Sequence, residues 1–510
     1  MKKIKTYGFI FIIAFSLNAY YSNFGVFPID TFLHYDSGYK FLNGEIPVRD
    51  FWFVHGLTID LIQGFFFYFF GINWISYILH SSIFNGFIAV FFFNFLKLYK
   101  VENNKALIIT LTFLTITYSI SGTPFLDLHS TFFSLFAFFC FWFFLEKKNY
   151  IFFIFIPIFF FLAFFSKPTP SSYLFVIFIL IYFYYLWISK DYKSIKYLLI
   201  GSLISLFCLI FFLIFYKISF NLFITELFFY PLSIGEERIS NFNFRLIKIL
   251  SNYKFILISN LLIIYLIFSE AKSFKIRLIG YSLILISFIL IYHQLMTKNQ
   301  NYIFFLIPLN ISFALFADNE KKLNKLLIYV LLIFCILVTT KYHYRFNEGR
   351  KFHDLQNTSL NKSLPATMVD KSMYPLKWIT MEYEDPITEI NLIKNVINIL
   401  EENKFNKLLI TNYLFIDSIT KTKVYALSRT YDAISFPGKN NKYYKTYKKF
   451  FEDKLKKAKI EKIYIFLSFS GNDELINNYV YEYLDKDCLK EKKDILPELI
   501  ELTVNQECFK

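Results

Sequence analysis

Cysteine is scarce: the 510-residue chain has five. No CxxC pair and no Cys/His spacing points to a zinc site. Cys140, Cys208 and Cys335 lie inside apolar runs and read as small core residues. Cys488 and Cys508 stand in a polar tail. They pair if the tail faces an oxidising compartment, closing a loop of about 20 residues worth roughly 3 kcal/mol, and stay free thiols otherwise. No Gly-rich phosphate loop, Walker sequence or HExxH motif occurs, which argues against a nucleotide-driven pump and a membrane zinc protease. No basic cluster is interleaved with base-stacking aromatics on a polar segment, so nucleic acid is not a predicted partner. Lys2, Lys3 and Lys5 precede an apolar run, yet no small-residue cleavage site of the Ala-x-Ala kind follows. Residues 1–19 are therefore expected to be an uncleaved first span with a cytoplasmic N-terminus. Internal repeats and low-complexity linkers are absent from the sequence.

Apolar residues are abundant instead. Hydrophobic types make up 56% and aromatic types 22%, with 70 Phe. Runs such as Phe87 to Phe93 are too many for one aqueous core, so the class is a polytopic α-helical membrane protein. Apolar segments recur at 8–21, 74–98, 106–121, 128–145, 150–166, 172–189, 197–216, 254–268, 278–294, 302–317 and 326–341. Residues 57–72 are apolar too, but Asp60, Gln63 and two glycines interrupt them, which predicts a helix lying on the membrane surface. The net charge is +15. With the N-terminus inside, every inside loop is basic: Lys97, Lys100 and Lys105; Lys147 and Lys148; Lys190, Lys193 and Lys196; Lys272, Lys275 and Arg277; Lys321, Lys322 and Lys325. The positive-inside rule then predicts about eleven spans with the tail outside. Two domains follow: a transmembrane domain at 1–341 and an extracytoplasmic soluble domain at 342–510. The expected location is the bacterial inner membrane.

The tail alternates helix and strand twice. Residues 390–402 carry apolar groups at helical spacing, and 407–411 read as a strand. Residues 445–457 form a very basic helical stretch before a second buried-type strand at 462–467. This predicts a small α/β domain. The outside loop 217–253 mixes Glu226, Glu236, Glu237, Arg238, Arg245 and Lys248 with aromatics, a composition suited to the membrane face.

The first loop, 28–56, is the densest collection of acid, base and ligand side chains before residue 340. Pro28 ends the preceding segment, and Asp30 or Thr31 can cap a new helix. Phe32, Tyr35, Tyr39 and Leu42 recur at 3–4 spacing, so one face is expected to rest on the membrane. Asn43-Gly44 ends the helix. Asp30 and His34 share a face. Asp30 is either a cap or a general base. Asp36 and His34 are further catalytic candidates, with a solvated polar face as the alternative. Arg49 and Asp50 can simply pair with each other.

Taken together, this loop resembles a known family. An Asp follows the first span. A short helix then ends in Asn-Gly. After it come a Pro, Arg49-Asp50-Phe51, His55-Gly56 and an amphipathic stretch reading FFFYFFGINW from Phe65. The pattern is similar to the GT-C membrane glycosyltransferases, near the protein mannosyltransferase and lipid A aminoarabinose transferase branch. The resemblance covers mainly residues 1–340. Many members have Asp-Glu where this chain has Asp30-Thr31, so only the Asp carries over. It implies transfer of a sugar from a polyprenyl-phosphate donor to a lipid, glycan or protein acceptor at the outer face, with Asp30 as base. It also implies substrate-binding roles for Arg49, for Asp127 and His129 at the mouth of a span, and for Tyr302 in the stretch from Lys298 to Pro308. Asp127 is otherwise a favourable helix start. Lys167 and Lys298 sit at outer boundaries, where lysine runs against the positive-inside trend. They are candidates for the lipid phosphate, with His293 behind them; snorkelling is the alternative. No cofactor is implied and no ligand spacing defines a metal site, although the carboxylates are compatible with a divalent ion. The competing classes are a flippase for lipid-linked sugars and a polysaccharide polymerase or ligase of another fold.

Overall fold

A computed structural model describes residues 2–240, 246–269, 273–298, 302–320, 325–432, 434–466 and 479–509. Lys272, Lys321 and Lys322 of the orientation pattern, Arg245, and the end of the second tail strand at Leu467 lie outside the described residues. The chain is helical with a small sheet region near its C-terminus. It divides into two compact units. One holds residues 1–23, 78–211 and 241–357; the other holds 24–77, 212–240 and 358–510.

Among the described residues seven helices are long and apolar enough to cross a membrane: Trp74–Leu98, Leu126–Lys147, Pro168–Ser189, Lys193–Phe215, Ile249–Ser269, Phe274–Thr297 and Lys325–Glu348. Helix Leu126–Lys147 is buried all round, because the helices beside it are equally apolar; Lys193–Phe215 is largely exposed and presents Leu, Ile and Phe outward. Other predicted segments are helical but shorter, at Ile151–Ser166 and within Leu306–Glu320. The expected span at 106–121 breaks. Its helix runs only Asn103–Thr115, because Asn85 Oδ1 takes the Thr117 hydroxyl (2.5 Å) and the Tyr118 N–H (3.3 Å), giving the backbone another partner.

Apolar helices in lipid gain specificity from polar contacts and close approach. In the first unit Asn310 Nδ2 donates to Ser259 Oγ, Asn260 Oδ1 and Ser287 Oγ at 2.9–3.0 Å, tying three helices together. A Cβ on Gly201 would meet the Ile154 carbonyl at 2.1 Å, so that position lets two helices touch. Lysine, not glycine, takes the left-handed position after several helices: Lys148, Lys190 and Lys298 have φ near 55°. The strain is offset by a cation at the negative end of the helix dipole.

In the second unit the loop helix runs Pro28–Leu42 and stops at Asn43, with Gly44 at φ 81°, as its sequence predicts. The expectation that its aromatic face rests on the membrane is corrected. Phe32 and Tyr35 are fully buried in protein, against Trp74, Phe67, Tyr77, Trp378 and Phe415. The tail supplies Trp378 and Phe415, and no local pattern announces them. Helix Leu57–Phe70 follows between two positive-φ glycines. It buries Asp60, Gln63 and Phe67 and leaves Phe65, Tyr68, Phe69 and Phe70 exposed.

The tail contains helices Pro386–Glu402 and Tyr444–Ala458, close to their predicted positions. Its strands are β1 Leu364–Pro365, β2 Lys377–Trp378, β3 Lys407–Thr411, β4 Val424–Tyr425, β5 Lys462–Phe466, β6 Leu489–Leu496 and β7 Leu499–Val504. A five-stranded sheet has the order β4-β3-β5-β7-β6, with β4, β3 and β5 parallel and β7 and β6 antiparallel. Trp52 of the first loop sits in the core beside this sheet, with Tyr447, Phe451 and Ile463. Its N–H donates to Leu427 O (2.8 Å), and its carbonyl accepts from Arg429 N (3.1 Å). Cys488 and Cys508 form a disulfide, with Cα atoms 5.7 Å apart.

Candidate functional site

Two buried polar clusters grow from helix Pro28–Leu42 in the second unit. Pro28 presets the first turn. The cap is reciprocal to the one expected: Thr31 Oγ1 accepts the Phe27 N–H at 2.9 Å, and no side chain caps from the N-cap position. Asp30 stands in this first turn, half-buried.

The first cluster is Asp36, Lys40 and Asp417. Lys40 Nζ lies 2.6 Å from Asp36 Oδ2, one helical turn away, and 3.5 Å from Asp417 Oδ2. Burial pushes Asp36 above the usual carboxylate range against the pull of Lys40, and it pushes Asp417 well up, helped by the Asp36 charge. Burial alone would lower Lys40, but the Asp36 and Asp417 charges more than reverse it, so the ammonium stays charged. Two neighbouring carboxyls thus crowd one ammonium, and the charge of Asp36 disfavours ionisation of Asp417.

The second cluster is His34, Asp60 and Arg429, all buried. Asp60 Oδ1 is 2.7 Å from His34 Nδ1 and 2.8 Å from Arg429 Nη2. Arg429 also donates to the His55 carbonyl and lies 4.9 Å from the centre of the Phe53 ring. Burial pushes Asp60 well up and Arg429 down, each opposed by the other's charge. Gly56 has φ 102°, and a Cβ there would meet Arg429 Nη1 at 2.2 Å. The His-Gly pair of the loop is thus a passage for the guanidinium.

Arg49 is occupied structurally. Its Nε and Nη2 hold Asp50 Oδ2 (2.8 and 2.6 Å), and it also donates to Gly44 O and Tyr216 O. Asp50 accepts the Ile46 N–H, which closes the turn. Glu226 is fully buried and accepts the Phe53 N–H at 2.7 Å; burial pushes its carboxyl well up.

In the first unit a separate cluster forms where several apolar helices end. Asp127 opens helix Leu126–Lys147, Lys167 links Ile151–Ser166 to Pro168–Ser189, and His293 lies near the end of Phe274–Thr297. Lys167 Nζ is 2.7 Å from Asp127 Oδ2, His293 Nε2 is 3.8 Å from Asp127 Oδ1, and Tyr302 OH is 3.0 Å from His293 Nδ1. Asp127 serves this lysine and makes no capping bond. His129 goes elsewhere: its Nε2 is 3.0 Å from His80 Nε2, and its Nδ1 meets the Tyr118 hydroxyl. Lys298 is exposed and ends its helix in the left-handed conformation.

Of the predicted residues, the structure brings Asp127, Lys167, His293 and Tyr302 together, and it places Asp36 and His34 within one turn of the same helix, on different faces. Sequence reasoning passed over Lys40, Asp60, Asp417 and Arg429. Asp60 had a signal, a carboxylate inside an apolar helix; Asp417 and Arg429 had none. Among the described residues no group of three or more His, Cys, Asp or Glu could hold a metal ion. No family model and no curated protein matches the chain.

Proposed function

We propose that the protein is an inverting glycosyltransferase that takes a sugar from a polyprenyl phosphate at the outer face of a membrane. The observation that carries this reading is the Asp127–Lys167–His293–Tyr302 cluster. It sets cationic and hydroxyl donors at the shared end of otherwise apolar helices, where a phosphate on a lipid tail would present its charge. The chemistry is one displacement. The acceptor hydroxyl oxygen bonds to C1 of the sugar, and the C1–O(phosphate) bond breaks with its electron pair going to the phosphate. The hydroxyl proton passes to a carboxylate base, the role that the resemblance to GT-C enzymes assigns to Asp30. Phosphate is a good leaving group, so cations suffice to stabilise it. Lys167 would exchange part of its bond to Asp127 for the phosphate, with His293 beside it. The acceptor is a lipid, glycan or protein. About eleven spans, an outer tail and residence in a bacterial inner membrane belong to the same proposal. The buried His80–His129 pair, within helices apolar enough to cross a membrane, favours the alternative of a carrier, where ionisable groups sit inside the bilayer.

The test is turnover of a synthetic polyprenyl-phosphate sugar by the purified protein, read by mass spectrometry of the lipid and glycan fractions. Asp30→Asn keeps the shape and is expected to cut turnover roughly a hundredfold or more with the protein still folded. Asp36→Asn in parallel is expected to do much less at saturating acceptor. No transfer from any such donor would refute the reading. Loss with Asp36→Asn but not Asp30→Asn would displace the base.

A further inference from the structure

We propose that the second unit carries a docking surface for anionic phospholipid headgroups, made by Lys456, Lys457 and Lys459 at the end of helix Tyr444–Ala458 together with Lys217. This surface is independent of the transfer reading. Helix Lys193–Phe215 is apolar enough to cross a membrane and is exposed along most of its length. Tyr216 follows it, a residue type enriched where a span leaves the hydrocarbon. The Tyr216 carbonyl accepts from Arg49 Nη1 (3.1 Å), and its ring centre lies 5.6 Å from that of Phe41. Phe41 in turn fills the space over Gly64 of helix Leu57–Phe70, where a Cβ would meet Phe41 Cδ1 at 2.8 Å. That helix leaves Phe65, Tyr68, Phe69 and Phe70 exposed. Apolar surface therefore gives way to charged side chains at Tyr216 and Arg49, and the headgroups lie at that level.

The lysines stand at the same level. Arg49 holds Asp50 Oδ2. On the other side of Asp50, Lys454 Nζ donates to its carbonyl (2.5 Å), and Lys457 Nζ lies 3.9 Å from its Oδ1. Only Asp50 and Arg49 thus separate Lys457 from the end of the apolar helix. From Lys454 to Ile460 the sequence holds four lysines and no acid. Asp50 engages Lys454, but the Lys457 side chain is 76% exposed, and Lys456 and Lys459 are exposed too. Neither Lys456 nor Lys459 pairs with a carboxylate among the described residues. Lys217 is exposed directly after Tyr216. A phosphodiester headgroup is a fixed anion, and a lysine ammonium is the point charge that meets it. Each lysine near an anionic bilayer contributes about a factor of five in affinity. Continuity with the end of the apolar helix favours headgroups over a soluble polyanion.

The experiment is lysine acetylation of the full chain by an uncharged reagent, read peptide by peptide by mass spectrometry. It compares nanodiscs of phosphatidylcholine with nanodiscs that also contain phosphatidylglycerol. Lys442 and Lys445, exposed at the other end of the same helix and roughly 20 Å away, are the internal controls. Phosphatidylglycerol is expected to slow modification of Lys456, Lys457 and Lys459 about fivefold. Added salt should restore the rates, because the contact is between exposed charges, and the controls should keep theirs. Equal rates in the two lipids would leave these lysines serving the helix dipole alone and overturn the proposal. Equal slowing at Lys442 and Lys445 would show a diffuse charge effect with no docking surface, and also overturns it. So does slowing by soluble alginate in phosphatidylcholine nanodiscs with none from phosphatidylglycerol, which would assign the surface to an anionic glycan.

Discussion

The ion pair of Asp60 and Arg429 is the sharpest place to test how the second unit is held together. Both side chains are almost completely out of water, at 0% and 4% exposure, and their closest atoms are 2.8 Å apart. Removing one partner leaves the other buried and uncompensated, which costs about 3–5 kcal/mol; removing both is far cheaper than twice that. Arg429→Met and Asp60→Asn are therefore each expected to be severe. The double variant should be no worse than Arg429→Met alone, because Arg429 also loses its bond to the His55 carbonyl and its packing on Phe53. With two units, a single melting curve does not isolate this event. Hydrogen exchange of peptides spanning 52–60 and 425–431 in the full chain does. At 1.4 kcal/mol per factor of ten, each single variant should speed exchange there by roughly two to three orders of magnitude. Effects that simply add in the double variant would refute the reasoning, since they would mean the two charges do not sense each other.

Glu226→Gln tests the buried carboxyl. A group whose pKa is raised on folding stabilises below its unfolded pKa, and that stability is lost as pH climbs toward the folded value. Above the usual carboxylate range the variant should therefore become more stable than the parent, by up to about 1.4 kcal/mol per pH unit within the window. Parallel curves of stability against pH would show that Glu226 does not titrate there. Gly56→Ala should destabilise the second unit by roughly 1–3 kcal/mol, from a positive φ and the clash with Arg429; unchanged hydrogen exchange in the peptides spanning 52–60 and 425–431 would contradict the passage role. Lys167→Ala should raise the donor concentration needed for half-maximal transfer and leave the acceptor dependence alone, whereas an unchanged donor curve would reduce the lysine to a partner of Asp127. Ser37 is buried and cannot report topology, so Asn43→Cys, which is exposed, is the labelling site. It should react with an impermeant reagent from the outer side, and reaction only from the cytoplasmic side would reverse the orientation.

Local features are legible in the amino-acid sequence itself. Helix Pro28–Leu42 is written in Pro28, the 3–4 spacing and Asn43-Gly44. The tail helices and strands are written in the switch between helical and strand periods. The apolar helices are written in unbroken Phe, Leu and Ile. Each of these depends on residues within a few positions of one another, so a one-dimensional pattern suffices to specify it. The sites are different. Arg429 reaches Asp60 across 369 positions and His34 across 395, and Asp417 comes from the tail to meet Asp36 and Lys40. Such pairs obey no period, because chain distance says nothing about spatial distance once long loops close. The same is true of Phe32 and Tyr35. Their spacing determined that they share a face, but only Trp378 and Phe415, folded back from the tail, decided that the face is covered by protein and not by lipid.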